Sequence, residues 1–256
     1  MRIASWNINA IGARLDHLCR YLTETKTDVM LLQELKTRDE TFPREPLEDI
    51  GYNLAIYGQK SYNGVAIVSK HPLDDVIRGI PDYSDENARY ISAFTGGVRV
   101  SSVYVPNGQS IDSDKYAYKM QFYAALDAHM KTLHANDEDV FIGGDFNVAP
   151  TINDIHDHTP RPDHILCSPQ EQEAWRMLIN SGYIDVFRAL HPYDTQAFSW
   201  WDYRAGSWQY NRGYRIDQFL LNARACDRIT HAGIDTHTRG WERPSDHAPI
   251  WVALRT

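Results

Sequence analysis

The sequence predicts an α/β domain in which two mixed β-sheets pack against each other and helices cover their outer faces. Strand-like and helix-like segments alternate along the 256 residues, which favours an α/β fold. Several strand-like runs come in hairpin-like pairs, which indicates mixed sheets and not a doubly wound parallel sheet. Two packed sheets are needed to bury so many apolar strands. No linker, low-complexity segment or short repeat is evident, and we predict one domain over residues 1–256.

Composition and charge narrow the class of protein. A hydrophobic fraction of 43% supports a sizeable core, and no run of about 18 apolar residues that could span a membrane is present. The first residues enter a strand-like pattern without the apolar segment of a signal peptide, and the three cysteines are isolated, which favours a reducing cytoplasm. The net charge of −8 argues mildly against non-specific binding to nucleic acid, although a local basic face would still permit phosphate contacts. We expect a cytoplasmic monomer that does not bind membranes.

The first two predicted strands both end in polar residues. The first covers Arg2–Ala10, and Asn7 and Asn9 share one face near its end. The second, Asp28–Glu34, is apolar until it ends at the carboxylate of Glu34, which is either a ligand or an ordinary solvated strand end. A helix through residues 15–22 joins them, and antiparallel strand pairs follow at 52–57 with 64–69 and at 90–94 with 98–105.

The stretch Phe141–Pro150 carries the most informative polar residues. Its apolar start predicts a buried strand, and two glycines then let the backbone bend or approach another segment closely. Asp145 and Asn147 follow two residues apart, so they point the same way if the strand continues. A carboxylate beside a carboxamide suits activation of a water and stabilisation of an oxyanion. The alternative is an Asx-rich turn after an edge strand.

The second half of the chain contains two well-marked helices. One is predicted over Ser113–His134, and another begins with Ser168 as its N-cap and ends at Gly182. The loop Thr151–His164 between them is rich in His and Asp but has no rigid element behind it, so we favour a solvated loop over a metal site. Further strands are predicted from residue 215 and after the polar turn 243–247.

Polar side chains at the strand ends predict a metal-dependent hydrolytic site. They include no thiolate, and hard oxygen ligands favour Mg²⁺ or Mn²⁺ over Zn²⁺, with Glu34 as the first-choice ligand. Such a site suits in-line attack of water on a phosphodiester: Asp145 orients or deprotonates the water while His247 and Asn147 stabilise the phosphate. Asp217 could orient His247 from across the sheet. The set comprises Asn7, Asn9, Glu34, Tyr104, Asn107, Asp145, Asn147, Asp217, Asp246 and His247.

The segment 200–215 predicts a contact surface for nucleic acid. Arginine side chains can meet phosphates, and aromatic rings can stack on bases or wedge beside them. The alternative is a half-buried aromatic cluster over which arginines lie. The segment contains Trp200, Trp201, Tyr203, Arg204, Trp208, Tyr210, Arg212, Tyr214 and Arg215.

Together these residues resemble the exonuclease III family of apurinic/apyrimidinic endonucleases, within the endonuclease/exonuclease/phosphatase superfamily. Any one motif is weak, but the set occurs in the family's order from one end of the chain to the other. The motifs are Ser5-Trp-Asn-Ile-Asn9, Leu32-Gln-Glu-Leu-Lys36, Tyr104-Val-Pro-Asn107, Gly144-Asp-Phe-Asn147, Phe198-Ser-Trp-Trp-Asp-Tyr203, Arg215-Ile-Asp217 and Ser245-Asp-His247.

The resemblance implies a four-layer α/β sandwich of the DNase I-like type and a nuclease of base excision repair. It implies Mg²⁺-dependent hydrolysis 5′ to abasic sites in duplex DNA, with Mn²⁺ as a substitute, together with 3′→5′ exonuclease, 3′-phosphatase and 3′-phosphodiesterase activities. By position, the metal-site residues are Glu34, Asn7, Asn9 and Asp246, and the catalytic residues are Asp145, Asn147, His247, Asp217 and Tyr104. DNA contacts are implied for Asn107, Trp200 and Tyr214, and the segment above adds Arg204, Trp208 and Arg212.

Departures from the family pattern affect the expected specificity. Position 9 is Asn, as is common in bacterial members, where animal members have Asp; this weakens a ligand there. The loop before Ser168 carries Ile165, Leu166 and Cys167, whose bulk would narrow the abasic pocket and favour 3′-end processing. The basic N-terminal extension of eukaryotic nuclear members is absent, as is typical of a bacterial cytoplasmic protein.

Three other interpretations stay open at this point. The chain could be mainly a 3′→5′ exonuclease or 3′-end-trimming enzyme with weak abasic activity. It could be another phosphoesterase of the superfamily, such as a nonspecific nuclease, an inositol-phosphate phosphatase or a sphingomyelinase. A DNA-binding protein with a dead site is disfavoured, because the residues that such a protein would lose are all present, namely Glu34, Asp145, Asn147, Asp217 and His247.

Overall fold

Twelve β-strands form two six-stranded sheets in the computed structural model, which describes residues 1–255. The strands are β1 (Arg2–Asn7), β2 (Val29–Gln33), β3 (Asn53–Tyr57), β4 (Val65–Ser69), β5 (Asp74–Arg78), β6 (Tyr90–Thr95), β7 (Val98–Tyr104), β8 (Val140–Asp145), β9 (Tyr183–Asp185), β10 (Asp217–Asn222), β11 (Ile229–Ile234) and β12 (Ile250–Leu254).

Each sheet is mixed and has one parallel pair of strands near its centre. The first sheet has the order β11-β12-β1-β2-β4-β3, and the second has the order β5-β6-β7-β8-β10-β9. The parallel pairs are β1 with β2 and β7 with β8, and the carboxyl ends of a parallel pair lie at the same edge of the sheet. The two edges coincide, because the Asn7 side chain at the end of β1 contacts that of Asp145 at the end of β8.

Helices cover the outer face of each sheet and complete the four layers that the resemblance implies. One hydrophobic cluster lies between the sheets, a second between the first sheet and its helices, and a third between the second sheet and its helices. Side chains alternate accordingly along β1, where Ile3 faces the other sheet and Trp6 faces the first helix layer. The helices are α1 (Ile11–Thr25), α2 (Glu45–Asp49), α3 (Asp114–His134), α4 (Pro169–Asn180), α5 (Val186–Leu190) and α6 (Ala223–Cys226).

The predicted capping signals begin the two long helices of the second half. Ser113 caps α3 by accepting a hydrogen bond from the Tyr116 amide. Ser168 and Glu171 form a complete capping box at the start of α4. The caps thereby satisfy backbone amides at the starts of both helices.

The two glycines of β8 allow the close approach that the sequence predicts. A Cβ atom at Gly144 would lie 1.9 Å from the Val103 carbonyl oxygen, and one at Gly143 would lie 2.4 Å from the Phe219 ring. Only glycine therefore lets β8 lie this close to β7 and β10.

Two strand boundaries differ from the sequence prediction by more than one residue. β1 ends at Asn7, because Asn9 and Ala10 adopt left-handed φ values of 46° and 77°. β10 begins at Asp217, so this carboxylate lies at the start of a strand and not inside it. Among residues 1–255, none of the helices is long and apolar enough to cross a membrane.

Candidate active site

Tight turns follow three central strands and direct side chains into the shared edge of the two sheets, the rim. Asn9, Glu34 and Asn147 have φ values of 46°, 54° and 50°. Asparagine tolerates this left-handed region, whereas Glu34 needs support from its surroundings. Its carbonyl oxygen accepts a hydrogen bond from the Ala10 amide at 2.8 Å. The turn after β1 thus supports the turn after β2.

A carboxylate cluster lies at the centre of the rim. Possible ligand atoms of Glu34, Asp145 and His247 lie within 4.8 Å of one another. The Asn7 Nδ2 donates hydrogen bonds of 3.0 Å to both carboxylates, and its Oδ1 accepts one from the Asn9 amide at 3.1 Å. In this orientation the side chain presents its donor to the cluster, and the ligand role of Asn7 stays a prediction.

A lysine and a carboxamide separate Asp246 from Glu34. Lys36 Nζ lies 2.8 Å from Glu34 Oε2 and 2.6 Å from Asn9 Oδ1. Asn9 Nδ2 then donates to Asp246 Oδ1 at 2.9 Å, and the Trp200 indole donates to Asp246 Oδ2 at 3.0 Å. Asp246 therefore borders the carboxylate cluster and is not part of it.

Glu34 and Asp246 both stay ionised near neutral pH. Burial alone would raise the pKa of Glu34, but Lys36 and the hydrogen bond from Asn7 lower it below its ordinary value. Burial likewise opposes ionisation of Asp246, but the His247 charge together with the hydrogen bonds from Trp200 and Asn9 lowers the pKa of that carboxyl. The rim is therefore a negatively charged, oxygen-rich site.

A hydrogen-bonded chain orients His247. Its Nδ1 lies 2.9 Å from Asp217 Oδ2, and the same carboxylate oxygen accepts a hydrogen bond from Ser199 Oγ at 2.6 Å. Burial would lower the pKa of His247, but the charges of Asp217 and Asp145 raise it to about 10. The ring is thus an imidazolium, whose Nε2 lies 3.8 Å from Asp145 Oδ2.

Asp145 is fully buried in this network. Burial raises the pKa of its carboxyl to about 7, with the Asp217 and Glu34 charges acting in the same direction and the His247 charge opposing them. The Asn147 amide donates to Asp145 Oδ1 at 2.9 Å. A carboxyl group with a pKa near neutrality suits proton transfer to and from water.

Two carboxamides extend the rim toward solvent. Asn147 is almost buried, and its Nδ2 donates to the Val105 carbonyl at 2.9 Å. Asn107 is exposed, and its Nδ2 donates to Asn147 Oδ1 at 3.1 Å. The two predicted phosphate-binding amides are therefore neighbours.

Tyr104 presents a protonated phenol to the carboxylates. Burial and the charges of Glu34 and Asp145 raise the pKa of its hydroxyl well above the ordinary value. The Arg89 guanidinium lies over the Tyr104 ring, 4.7 Å from its centroid.

The segment 200–215 divides into a buried part and an exposed part. Arg215 is 1% exposed and ion paired with Asp154 and Asp185, so it cannot contact DNA. Trp201 is also buried, and the aromatic-core alternative holds for both residues. Arg204 and Arg212 are exposed, whereas Trp208 packs edge-on against Trp201 with ring centroids 4.9 Å apart.

The loop before α4 packs against Trp200 and Tyr214, the two aromatic residues predicted to line the pocket. Trp200 and Tyr214 lie with their ring centroids 5.8 Å apart. Leu166 and Cys167 are buried in the same cluster, and the His164 ring stacks on Tyr214 at 6.2 Å. The bulk predicted for this loop therefore lies against the aromatic pair.

Three side chains in the site are absent from the predicted set. Lys36 and Ser199 lie inside the motifs that carry the resemblance. A cation or a hydroxyl within such a motif could have been predicted to pair with a functional carboxylate. Arg89 precedes β6 outside any motif, and only the fold brings it to Tyr104.

The donor set fits a hard divalent cation. Glu34 and Asp145 offer carboxylate oxygens at close range, and their mutual repulsion is one cause of the raised pKa of Asp145. A bound cation would offset that repulsion.

Comparison with known proteins agrees with this geometry. Residues 4–247 match the endonuclease/exonuclease/phosphatase family. An exodeoxyribonuclease III from Haemophilus influenzae is 36% identical, and the alignment covers 100% of both chains. A solved 3′–5′ exonuclease from Neisseria meningitidis superposes with a TM-score of 0.97 at 36% identity, covering 100% of both chains. A solved AP endonuclease from Archaeoglobus fulgidus gives a TM-score of 0.95 at 32% identity, again over 100% of both chains.

The matched segment includes every residue of the rim, and full-length relatives exceed 30% identity. The chain therefore belongs to the endonuclease/exonuclease/phosphatase family, a family of metal-dependent hydrolytic enzymes, and within it to the exodeoxyribonuclease III group.

Proposed function

We propose that the chain is a DNA repair nuclease that hydrolyses phosphodiester bonds at abasic sites and at 3′ ends of duplex DNA. The observation that carries this proposal is the group of Glu34, Asp145 and His247, in which possible ligand atoms lie within 4.8 Å of one another. The names of the similar proteins, an exodeoxyribonuclease III, a 3′–5′ exonuclease and an AP endonuclease, support the same substrate.

Glu34 and Asp145 would hold Mg²⁺, with Asp246 and Asn9 beside them, and Mn²⁺ would substitute. The bound cation supplies a Lewis acid that stabilises negative charge on phosphate oxygens. Asn7 serves this site by directing its two donor hydrogens at the carboxylates of Glu34 and Asp145.

The chain's own groups divide the work of hydrolysis. Asp145, buried at the centre of the site, positions the attacking water and accepts its proton. His247, held as an imidazolium by Asp217, donates to a phosphate oxygen as charge builds there. The phenol of Tyr104 remains protonated and donates a further hydrogen bond to the phosphate.

The DNA contacts belong to the exposed part of the segment 200–215 and to Asn107. Arg204 and Arg212 are exposed and suit phosphate contacts. Trp200 and Tyr214 line the position of an abasic sugar, and Trp208 supports the base of the same surface.

A second candidate is an enzyme that acts mainly at 3′ ends. Leu166, Cys167 and His164 occupy the space against Trp200 and Tyr214 that an abasic sugar would need. A terminal 3′ group does not have to be extruded from a continuous duplex and tolerates a narrower pocket.

Two labelled duplexes, each assayed with Mg²⁺ and with EDTA, test the proposal. One carries an internal tetrahydrofuran abasic analogue, and the other is intact with a recessed 3′ end. A single Mg²⁺-dependent incision at the analogue supports the abasic activity, and laddering from the 3′ end without incision supports the second candidate. Cleavage of neither duplex contradicts the DNA assignment and favours a phosphoesterase that acts on small phosphorylated molecules.

We also propose a monomer located in the cytoplasm. All side chains of the rim come from one chain, so no second copy is needed to complete the site. The three cysteines are free thiols, which suits a reducing compartment.

A further inference from the structure

A completely buried ion pair lies behind the rim and has no part in the chemistry above. Lys119 of α3 and Glu171 of α4 have 0% exposure, and the ammonium is ion paired with Glu171 Oε1. A buried pair of charges is a weak source of stability, because desolvation offsets much of the attraction. The capping box of α4 accounts for the Glu171 carboxylate but not for the buried Lys119 ammonium that pairs with it.

The ammonium of Lys119 holds the backbone of both loops that carry the phosphate-facing carboxamides. Its Nζ donates to the Asn147 carbonyl at 2.7 Å and to the Asn107 carbonyl at 3.2 Å. On the opposite face of these loops, Asn107 Nδ2 donates to Asn147 Oδ1 at 3.1 Å. Lys119 thus sets from behind the spacing of two side chains that meet at the rim.

The carboxylate of Glu171 holds the loop that fills the pocket. Its Oε1 accepts a hydrogen bond from the Leu166 amide at 3.1 Å, and its Oε2 accepts one from the Ser168 amide at 3.0 Å. The Leu166 carbonyl in turn accepts a hydrogen bond from the Ala149 amide at 2.6 Å. The pocket wall and the loop after β8 are therefore joined through one ion pair.

Packing around the pair leaves little freedom. A Cβ atom at Gly108 would lie 3.2 Å from Lys119 Cδ, and a hydroxyl from the same helix, that of Tyr123, donates to the Phe146 carbonyl at 2.5 Å. Asn147 keeps its left-handed φ of 50° inside this frame. A shift of the ion pair would therefore be transmitted to the carboxamides.

We propose that Lys119 and Glu171 are positioning residues that hold the phosphate-binding carboxamides and the pocket wall in one arrangement. They thereby set the preference between internal abasic sites and 3′ ends. This inference rests on the proposed function and adds to it the origin of the substrate preference.

The test compares the wild type with Glu171→Gln and with the neutral double variant Lys119→Met/Glu171→Gln. Glu171→Gln keeps an acceptor for the Leu166 amide but leaves the buried Lys119 ammonium without its partner. The double variant leaves no unpaired buried charge and is therefore the variant better suited to fold. We measure kcat and KM for incision at a tetrahydrofuran analogue and for removal of a 3′-phosphate. The ratio of the two activities does not depend on the amount of folded enzyme, so a purely structural role would not change it.

We expect the double variant to lose about tenfold or more in kcat with little change in KM, because misplaced groups act on the transition state. The ratio of the two activities changes by about threefold or more, because the pocket wall is released. Arg99→Met is the matched control. Arg99 pairs with Glu138 at 3.0 Å near the starts of β7 and β8, whereas the rim lies at the other end of both strands. An unchanged ratio and kcat in the double variant, or an equal change in the control, overturns the proposal.

Amide hydrogen exchange separates this inference from the proposed function. Exchange at Leu166 and Ala149 should accelerate in the double variant while the amides within β7 and β8 keep their protection. This readout needs no substrate, so it tests the positioning role even if neither duplex is cleaved. Unchanged protection at Leu166 and Ala149 contradicts it.

Discussion

Asp217 controls the catalytic geometry through a single carboxylate oxygen. Its Oδ2 accepts hydrogen bonds from His247 Nδ1 at 2.9 Å and from Ser199 Oγ at 2.6 Å. The imidazole is buried, so its charged form depends on this partner. At the scale of single residues, the orientation and the charge of His247 are therefore set by Asp217, which does not itself contact the phosphate.

Asp217→Asn should lower kcat by about 100-fold, because His247 loses both its orientation and the charge that keeps it protonated. Ser199→Ala removes only one hydrogen bond to the same oxygen and should cost about tenfold or less. Steady-state kcat with the abasic duplex measures both. Equal losses in the two variants would contradict the proposal that Asp217, and not Ser199, determines the orientation and charge of His247.

The residue identities of the site were more predictable than their backbone conformations. Polar residues after apolar strands pointed to Glu34 and Asp145, because strand ends collect at one edge of a sheet. The left-handed turn at Glu34 was not predictable, since glutamate has no intrinsic preference for it and the support comes from a neighbouring strand. The donor role of Asn7 likewise depends on the turn that brings the Asn9 amide to its oxygen.

At the scale of secondary-structure elements, a buried ion network fixes the start of β10 beside the active site. Arg215 pairs with Asp154 at 2.7 Å and with Asp185 at 2.7 Å, and Arg188 adds a second contact to Asp154 at 2.6 Å. Asp217 follows Arg215 by two residues. The network therefore supports the position of the carboxylate that orients His247.

Asp154→Asn should destabilise the protein by about 3 to 5 kcal/mol at neutral pH, because it removes the carboxylate that Arg188 and the buried Arg215 share. Burial would raise the pKa of Asp154, but Arg215 and Arg188 lower it below the ordinary value. A depressed folded pKa contributes stability above the unfolded value of about 3.9 and loses it as pH falls through the folded value. Urea unfolding at neutral and acidic pH should show the wild type and variant converging at low pH.

Asp157→Asn is the control for that network. Asp157 lies in the same loop but forms a solvent-accessible pair with Arg161, and such pairs are worth about 1 kcal/mol or less. A loss in this variant as large as in Asp154→Asn would show that the loop itself, and not the buried network, determines stability.

The contacts of Arg215 and the shortest strands could not be predicted from the sequence. An arginine among aromatic residues has the same local pattern whether it meets DNA or a buried aspartate, and only the tertiary contacts decide. The strand β9 has three residues and β5 is charged and half exposed, so neither carries enough periodicity to be recognised. Longer elements with caps, such as α3 and α4, were predicted with their boundaries.

At the scale of the whole molecule, one parallel strand pair from each sheet contributes residues to a single active site. The strand pairs end at a common rim, so the residues that follow β1, β2, β7 and β8 meet without a second domain. The predicted sandwich and family are confirmed by the sheet order and by the full-length similarity to known members. The predicted roles of individual site residues remain predictions.

Binding of DNA by a chain of net charge −8 should depend on few local cations. Arg204→Ala and Arg212→Ala should each weaken binding similarly for all duplex sequences and reduce the slope of log K against log salt by about one. Fluorescence anisotropy across a salt series measures both effects. Arg224→Ala is the control, because Arg224 is exposed but pairs with Asp137 and Asp139 far from the rim; an equal change there would contradict a localised DNA surface.

The most direct test of the account is the turnover of Asp145→Asn on the abasic duplex with Mg²⁺, measured together with its affinity for that duplex. Asparagine keeps the size of the side chain but cannot accept the proton of the attacking water. We predict a loss of about 1,000-fold or more in kcat, with affinity for DNA changed by no more than about threefold. Turnover close to that of the wild type would contradict the assignment of Asp145 and, with it, the proposed mechanism.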